Sequence, residues 1–250
     1  MYHRDIRTLH VGIIMDGNGR WAEARGMSRI NGHARGARRV TDIVNACPEL
    51  GITHLTLYAF STENWKRPLA EVEGLMRIFR IYILRKTEEL RRHDVRVRFI
   101  GMRHRVPVVL QRLMQSLEEA TCGCRGLTLS IAIDYGGRDE LARAVRGLGE
   151  RVATGSLLPQ EIAEATISQA LDTGGVPDPD LIIRTSGECR VSNFLLWQGV
   201  YAEYDFPPTA WPEFTVDLFA HSVEGFRLRH RRFGRVELPA LPARTGTSPS

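Results

Sequence analysis

Apolar and polar positions along the chain follow two periods, and together they predict strands alternating with helices. Apolar runs typical of buried strands, and one alternating run, occupy residues 11–15, 54–60, 95–100, 127–133 and 181–183. Apolar residues recur every three or four positions, as in helices, in residues 34–50, 69–92, 107–120, 139–152, 158–171 and 214–232. This alternation predicts an α/β fold with a mostly parallel central sheet flanked by helices.

The pattern contains no internal repeat and no interdomain linker. A chain of 250 residues can form one large or two small domains. We expect residues 1–236 to form a single domain, and residues 237–250, which are rich in Pro, Ser and Thr, to form a disordered tail. Residues 195–197 fit either a helix or a strand.

Four polar loops follow predicted strands, at residues 16–20, 61–67, 134–138 and 184–192. Parallel sheets bind their ligands at the carboxyl ends of the strands. The sequence therefore predicts that these four loops meet at one site.

The first loop has the composition of an anion cradle. Glycines flank Asn18 between a predicted strand and a helix that begins near Arg20, so free backbone N–H groups point at whatever binds there. Asp16 would repel a phosphate in this position unless a cation lay between them. Because Mg²⁺ is commonly held by one or two carboxylates and by substrate phosphates, the loop suggests a diphosphate carried with Mg²⁺.

Two other interpretations of this loop remain open at this point. Gly17-x-Gly19-x-x-Ala22 also fits the permissive dinucleotide fingerprint, and a plain structural turn needs the same glycines. The fingerprint expects an acidic residue about twenty positions later, at the end of the second strand. Here the next strand-like run begins only at His54, which weakens the dinucleotide interpretation.

The last loop offers a second candidate anion site. Arg184, Arg190 and Ser192 place two guanidinium groups and a hydroxyl after a strand, although surface charge explains such arginines equally well. Two anion sites at one sheet edge, with carboxylates at Asp16 and Glu203, suggest two phosphorylated substrates.

Composition limits the partners. The formal net charge is +5, from 34 Lys and Arg against 29 Asp and Glu, and arginine suits bidentate phosphate contacts. No basic run interleaved with aromatic residues predicts a nucleic-acid surface. The Cys122-Gly-Cys124 pair lacks the further ligands of a zinc site, so we expect free thiols. Without a signal peptide or a long apolar run, a cytoplasmic location is expected.

Motifs along the chain also resemble, in order and spacing, those of the cis-prenyltransferases, and more narrowly those of bacterial undecaprenyl diphosphate synthases. The resemblance covers residues 10–236. The motifs that carry it are Asp16-Gly-Asn-Gly-Arg-Trp21, Gly32-His33, Ser61-Thr-Glu-Asn-Trp-Lys-Arg-Pro68, Tyr135-Gly-Gly-Arg138, Pro177-Asp-Pro-Asp-Leu181, Arg184-Thr-Ser-Gly-Glu188, Ser192-Asn-Phe-Leu-Leu-Trp-Gln198, Tyr201-Ala-Glu203 and Trp211-Pro212.

The resemblance implies a reaction. Isopentenyl diphosphate would elongate an allylic diphosphate such as farnesyl diphosphate, with new double bonds in cis, in a Mg²⁺-dependent homodimer. The helix at residues 69–92 would wall a hydrophobic tunnel for the growing chain, and membrane contact would be at most transient. Small Ala59 resembles long-chain members of the family and implies a product longer than C15.

The resemblance also implies roles for individual residues. Asp16 and Glu203 would be the Mg²⁺ ligands, with Glu203 donated near or across a dimer interface, where the Arg232-Phe-Gly234 element would also reach. The family assigns the position of Asn64 to a proton acceptor. Because a neutral carboxamide is a poor base, we expect Asn64 to act in catalysis by orienting substrate while a diphosphate oxygen takes the proton. Substrates would be bound by Gly17, Asn18, Gly19, Arg20, Trp21, Arg29, His33, Ser61, Thr62, Glu63, Trp65, Arg67, Arg184, Arg190, Val191 and Ser192.

The chain departs from the family pattern at several positions. Asp134 replaces the usual Asn and is expected to add a carboxylate near the anion sites, while Cys189 and Asp205 are also unusual. Three rival functions remain open: a synthase of short or branched prenyl diphosphates, a noncatalytic partner subunit, and a dinucleotide-binding oxidoreductase.

Overall fold

A single parallel sheet forms the centre of the protein. The computed structural model describes residues 8–229, and the sheet order there is β3-β4-β2-β1-β5-β6 with every neighbouring pair parallel. The strands are β1 Leu9–Ile14, β2 Ile52–Ser61, β3 Arg96–Ile100, β4 Thr128–Tyr135, β5 Leu181–Arg184 and β6 Glu203–Asp205. The predicted α/β fold with a parallel central sheet is confirmed.

Helices flank this sheet on both sides. They are α1 Asn18–Glu23, α2 Arg29–Ala46, α3 Leu69–Arg92, α4 Val108–Thr121, α5 Gly137–Ala153, α6 Glu164–Ala170 and α7 Val216–Leu228. Short 3₁₀ helices occupy Thr62–Lys66, Pro159–Glu161 and Trp211–Glu213. Each predicted helical stretch contains a helix, but α2 begins five residues before the predicted start at residue 34, and α7 ends at Leu228, before the predicted end at residue 232. The stretch 158–171 divides into the 3₁₀ helix Pro159–Glu161 and α6 Glu164–Ala170.

Three local predictions differ from the structure. Residues 62–66 were expected to be a polar loop but form a 3₁₀ helix, because the Asn64 side chain caps the backbone N–H of Ser61. Residues 195–197 form neither helix nor strand but a turn. The edge strand β6 was not predicted, since three residues are too few to show an alternating pattern.

Apolar side chains cover both faces of the sheet. The larger cluster packs α2, α3, α4 and α7 against one face, and a smaller cluster that includes Phe194 and Tyr135 covers the other. A sheet buried on both faces needs near-continuous apolar strands, which explains the unbroken apolar runs in the sequence.

Two glycines of α2 let this helix lie directly against the loop after β1. A Cβ atom at Gly32 would lie 2.0 Å from the backbone oxygen of Asn18, and one at Gly36 would lie 2.2 Å from Asn18 Oδ1. Any side chain at either position would therefore push α2 away from the loop that carries Asp16.

Some sequence predictions fall beyond the described range. The predicted tail at residues 237–250, the domain boundary at residue 236 and the Arg232-Phe-Gly234 element all lie outside residues 8–229. Within those residues, no helix combines the length and the apolar character needed to cross a membrane.

Candidate active site

The first and last polar loops meet because β1 and β5 are neighbours in the sheet. Ile14 pairs with Arg184, so the residues that follow each strand leave the sheet side by side. Thr185 joins the loops, since its Oγ1 accepts a hydrogen bond from Asp16 N (2.9 Å) and donates one to Asp16 O (2.8 Å). Thr185 was not predicted as a site residue.

An ion pair between Asp16 and Arg184 forms the centre of the site. Arg184 is 4% exposed, and its Nη2 donates to Asp16 Oδ2 at 2.8 Å. Its Nη1 donates to the backbone oxygen of Arg190 (2.6 Å) and to Ser192 Oγ (2.5 Å). One buried guanidinium thus fixes both the carboxylate of the first loop and the backbone of the second.

The Asp16 carboxyl is ionised at neutral pH. Partial burial by itself would raise its pKa, but the hydrogen bond from Arg184 and that from the backbone N–H of Gly17 (2.6 Å) bring the pKa below its ordinary value. Gly17 adopts a φ of 94°, a left-handed conformation that glycine adopts without strain, and this conformation turns its N–H toward the carboxylate.

Glu188 lies between the two predicted anion-binding arginines. Arg20 Nη1 donates to Glu188 Oε1 at 2.8 Å, and Arg190 pairs with the other oxygen of the same carboxylate. All three side chains are accessible to solvent, and the pKa of Glu188 is lowered mainly by its hydrogen bond with Arg190. An incoming diphosphate can therefore replace Glu188 as the partner of both arginines.

A second charged cluster surrounds Glu71 at the start of α3. Its carboxylate accepts hydrogen bonds from Arg29 Nε (3.1 Å) and Arg67 Nη1 (3.0 Å), and His33 Nε2 lies 3.4 Å away. Burial opposes ionisation of Glu71, but Arg29 and Arg67 bring its pKa below the ordinary value. Glu71 thus holds three predicted substrate-binding residues together. Its position four residues after Arg67 was the available signal in the sequence.

The pKa of His33 is lowered, chiefly by burial and next by the charge of Arg67, while Glu71 opposes the shift. The folded protein therefore binds fewer protons here than the unfolded chain once the pH falls below about 6.5. We expect the unfolding free energy to decrease as the pH falls from 7.5 to 5.5, with a contribution from His33 of at most about 1.4 kcal/mol per pH unit.

Denaturant unfolding of the wild type and of His33→Gln across this range measures that contribution. His54 also has a lowered pKa, from burial first and then from Arg98, so only the difference between the two proteins isolates His33. The wild type should lose more stability than the variant as the pH falls. Parallel curves would contradict a depressed pKa at His33.

The 3₁₀ helix Thr62–Lys66 carries further predicted residues to the same edge. Asn64 Oδ1 accepts the Ser61 N–H at 3.1 Å, and Glu63 Oε1 accepts a hydrogen bond from Asn193 Nδ2 at 3.1 Å. The Asn64 side chain thus caps its own helix, and its role in orienting substrate stays a prediction. Asn193 was not predicted as a site residue, although it lies in the motif from Ser192 to Gln198.

A cavity of about 530 Å³ opens between these groups and continues into the apolar core. Its mouth is polar, and the residues there include Asp16, Asn18, His33, Ser61, Glu63, Asn64, Arg67, Arg184 and Ser192. Its interior is largely apolar and is lined by Ala37, Val40, Leu57, Ala59, Leu75, Ile78, Phe79, Tyr82 and Ile131. The predicted apolar wall on α3 is present, because Leu75, Ile78, Phe79 and Tyr82 all belong to that helix.

Several predicted residues do not line this cavity in the described part of the chain. The ring of Trp21 lies beneath Arg25, whose guanidinium carbon is 4.6 Å from the ring centroid. A Cβ at Gly19 would lie 2.4 Å from the guanidinium carbon of Arg29, so this glycine makes room for the arginine. Thr62, Trp65, Arg20, Arg29, Arg190 and Val191 are likewise absent from the lining.

Glu203 is separated from Asp16 within one chain. It pairs with Leu181 in the sheet, three residues before Arg184 on β5, which corresponds to about 10 Å along the strand. Its carboxylate also accepts a hydrogen bond from Arg229 Nη1 at 3.1 Å.

Among residues 8–229 no group of three His, Cys, Asp or Glu side chains could hold a metal ion. All four cysteines are free, as expected.

Asp134 does not add its charge to the anion sites, contrary to expectation. Its carboxylate is fully buried and pairs with Arg105 and with the indole N–H of Trp65. The sequence could not reveal this pairing, because Arg105 lies 29 positions away in the loop after β3.

Comparisons with known proteins agree with this geometry. The prenyltransferase family described as "Putative undecaprenyl diphosphate synthase" matches residues 14–234. An isoprenyl transferase of Rhizobium meliloti (strain 1021) is 51% identical over 232 residues, which is 93% of this chain and 94% of the relative. A ditrans,polycis-undecaprenyl-diphosphate synthase of Xanthomonas axonopodis pv. citri (strain 306), described as (2E,6E)-farnesyl-diphosphate specific, is 48% identical over 225 residues, 90% of this chain and 88% of the relative.

A solved structure is also similar. Lavandulyl diphosphate synthase from Lavandula x intermedia, crystallised with dimethylallyl diphosphate, superposes with a TM-score of 0.88 at 36% identity. The superposition covers 90% of this chain and 98% of that protein.

Proposed function

The chain belongs to the undecaprenyl diphosphate synthase family of prenyltransferases, and from this premise we propose the substrates and product of its reaction. It is a cis-polyprenyl diphosphate synthase, which condenses isopentenyl diphosphate with an allylic diphosphate. We propose farnesyl diphosphate as the allylic primer and a long-chain product such as undecaprenyl diphosphate. The observation that carries the proposal is the cavity, with a charged mouth for diphosphates and an apolar interior for the prenyl chain.

The charged groups at the mouth suit the chemistry of this reaction. The allylic C–O bond breaks, a C–C bond forms to the terminal alkene carbon of isopentenyl diphosphate, and diphosphate and a proton leave. Negative charge develops on the departing diphosphate, where preorganised donors are most effective. We propose that Arg20 and the loop around Gly17 hold the allylic diphosphate. Arg184, Arg190 and Ser192 would hold isopentenyl diphosphate.

Prenyltransferases generally use a metal ion, and we propose Mg²⁺ here. The Asp16 carboxylate is ionised and lies beside both anion loops, which fits a Mg²⁺ site made of one carboxylate and substrate phosphates. When bound, Mg²⁺ would supply positive charge that stabilises the departing diphosphate. Asp16 would hold the ion, and Arg184 would keep Asp16 in place.

We propose that Glu203 serves the site of a second subunit in a homodimer. Within its own chain it lies about 10 Å along the sheet from the level of Ile14 and Arg184, and Asp16 follows Ile14 by two residues. It belongs to the edge strand β6, next to the exposed side chains of Val200 and Tyr201. Such a surface suits a subunit interface.

We also propose that the enzyme works in the cytoplasm and contacts membranes only transiently, when its product leaves.

A second candidate function is synthesis of a short or branched prenyl diphosphate. The likeness to lavandulyl diphosphate synthase, with a TM-score of 0.88, is the observation that favours it. The interpretation as a dinucleotide-binding oxidoreductase is wrong, because the prenyltransferase family model matches residues 14–234, which include the whole described site. A noncatalytic subunit is disfavoured by the charged groups at the cavity mouth, including Asp16 and Arg184.

A product assay distinguishes these functions. Purified protein is incubated with Mg²⁺, isopentenyl diphosphate and, separately, dimethylallyl, geranyl or farnesyl diphosphate, and product masses are measured. A ladder that ends near C50–C55 from farnesyl diphosphate supports the main proposal. A C10–C20 product supports the second function, and no product with any primer supports a noncatalytic subunit.

Ala59→Leu should shorten the product. Ala59 lies on β2 and lines the apolar part of the cavity, so a larger side chain there occupies space that the growing prenyl chain needs. We expect the mass distribution to shift downward by several isoprene units with little loss of the first condensation. Product masses from farnesyl diphosphate measure the shift.

Ala165→Leu is the matched control, because Ala165 is exposed on α6 and away from the cavity. It should leave the product distribution unchanged. If Ala59→Leu also gives the wild-type ladder, the cavity does not set chain length at this position.

A further inference from the structure

Trp65 lies on the side of the 3₁₀ helix that faces away from the cavity. Glu63, Asn64 and Arg67 line the cavity, whereas Trp65 does not belong to its lining in the described residues. The indole ring instead packs edge-on against Phe60, with ring centroids 4.9 Å apart at an angle of 73°. Trp65 therefore attaches this short helix to the body of the protein.

The polar end of Trp65 is held by Asp134. Its Nε1 donates to Asp134 Oδ1 at 2.8 Å, and the Asp134 carboxylate is 0% exposed. Asp134 is the penultimate residue of β4 and has a φ of 52°, a left-handed conformation that Asp tolerates better than most residues. The carboxylate is thus directed by a specific backbone conformation.

Arg105 completes the cluster. Its Nε donates to Asp134 Oδ2 at 3.0 Å, and its Nη2 makes a shorter contact with Oδ1. The same guanidinium lies over the Trp65 ring, with its central carbon 5.6 Å from the centroid. A buried carboxylate needs such a partner, because an unpaired buried charge is strongly destabilising. Three residues from three separate segments therefore form a closed set of contacts, the Trp65–Asp134–Arg105 cluster.

We propose that Asp134 and Arg105 are positioning residues that act through Trp65 to hold the 3₁₀ helix at the cavity mouth. The helix has one face toward the cavity, with Glu63 and Asn64, and one face on this cluster. A 3₁₀ helix of five residues has little stability alone. The cluster therefore determines where the face with Glu63 and Asn64 lies. The tests of this inference that measure activity rest on the proposed function.

Three variants test the link from Asp134 to Trp65. Asp134→Leu removes the acceptor and the charge, Trp65→Phe removes the N–H group together with part of the ring, and Asp134→Asn keeps an acceptor for the indole. A displacement of about 1 Å at a reacting group can cost on the order of 100-fold in rate. We expect Asp134→Leu to lower kcat 10- to 100-fold, Trp65→Phe to lower it less, and Asp134→Asn to restore most of the rate. The KM for isopentenyl diphosphate should change less than threefold.

The double variant Trp65→Phe with Asp134→Leu provides the sharper result. If both residues act through one hydrogen bond, the double variant should be no more than threefold slower than Asp134→Leu alone. Multiplied effects would overturn the proposal, as would equal losses in the Asp134→Asn and Asp134→Leu proteins.

Arg103→Met is the matched control for Arg105→Met. Arg103 lies in the same loop and pairs with Glu118 at 2.8 and 2.7 Å, and none of its hydrogen bonds reaches Trp65. Arg105→Met leaves the fully buried Asp134 carboxylate without its cation and should lower Tm more than Arg103→Met, whose partner Glu118 is 25% exposed, so kcat is measured well below the Tm of both variants. Only Arg105→Met should lower kcat, and a loss of kcat in both would show a general effect of stability.

A measurement without substrate separates this inference from the proposed function. The emission of Trp65 is taken as the difference between a protein and its Trp65→Phe form, and its quenching by acrylamide is compared. In the Asp134→Leu background, the emission of Trp65 should shift to longer wavelength and be quenched more readily. The Arg103→Met background should show neither change. If the wild type forms no product, the proposed function fails, but this measurement still tests whether Asp134 holds Trp65 in place. Unchanged Trp65 emission in the Asp134→Leu background would overturn the inference.

Discussion

Replacing Asp16 with Asn is expected to lower kcat about 1,000-fold, the largest effect of any single substitution considered. Removal of one preorganised group at a developing charge commonly costs about 100- to 1,000-fold, and here the lost carboxylate also serves the proposed Mg²⁺. The variant keeps the size of the side chain, but its single amide oxygen can accept only one of the two hydrogen bonds that Oδ1 and Oδ2 of Asp16 accept from Gly17 and Arg184. Because the missing charge would act on the departing diphosphate, the loss should fall mainly on turnover.

Steady-state kinetics over a range of Mg²⁺ concentrations measure this effect, together with thermal unfolding. Asp16→Asn should also lower the unfolding free energy by about 1–3 kcal/mol, because the buried Arg184 loses its charged partner. Asp42→Asn is the control, since Asp42 is an exposed carboxylate that pairs with Arg39 on α2. A kcat for Asp16→Asn within tenfold of the wild type would remove Asp16 from the centre of the proposed mechanism.

The second large effect is expected at Arg184, where lysine should lower kcat/KM for isopentenyl diphosphate by at least about 100-fold. The guanidinium divides its donors among Asp16 Oδ2, Arg190 O and Ser192 Oγ, and lysine cannot reproduce this planar fork. These bonds are made to protein groups, so their loss displaces the Asp16 carboxylate and the backbone from Arg190 to Ser192. A displacement of about 1 Å at a reacting group can cost on the order of 100-fold in rate. Most of the effect should appear in the KM.

Arg143→Lys is the matched control for Arg184→Lys. Arg143 makes a similar fork to Asp172, at 2.8 and 2.6 Å, and also pairs with Asp139, all outside the described cavity. Both variants should lose stability, but only Arg184→Lys should change the KM for isopentenyl diphosphate. If the KM values of both variants stay at the wild-type level, Arg184 has a structural role alone.

The main features of the site follow from sequence because they depend on local patterns. Strand-like and helix-like periods gave the alternation of elements, and parallel strands bring their carboxyl ends to one edge by necessity. The loops after β1 and β5 were therefore expected to meet, and the contact between Asp16 and Arg184 agrees with that expectation.

The residues that the sequence did not reveal are those that hold other charged groups. Glu71 gathers Arg29, Arg67 and His33, and Glu188 lies between Arg20 and Arg190. Neither was predicted as a site residue, since most of their partners, Arg29, His33 and Arg20, come from distant positions. Only one of these contacts, between Arg67 and Glu71, has a helical spacing that a sequence can show.

The sequence by itself determined the order of strands and helices, the composition of the anion loops and the family to which the chain belongs. These properties are encoded within short segments, where periodicity and residue type suffice. Tertiary structure alone decided that Asp134 pairs with Arg105 and supports Trp65, and that Glu203 lies away from Asp16 within one chain. Such contacts join residues from different segments, and their geometry depends on how the sheet and helices pack.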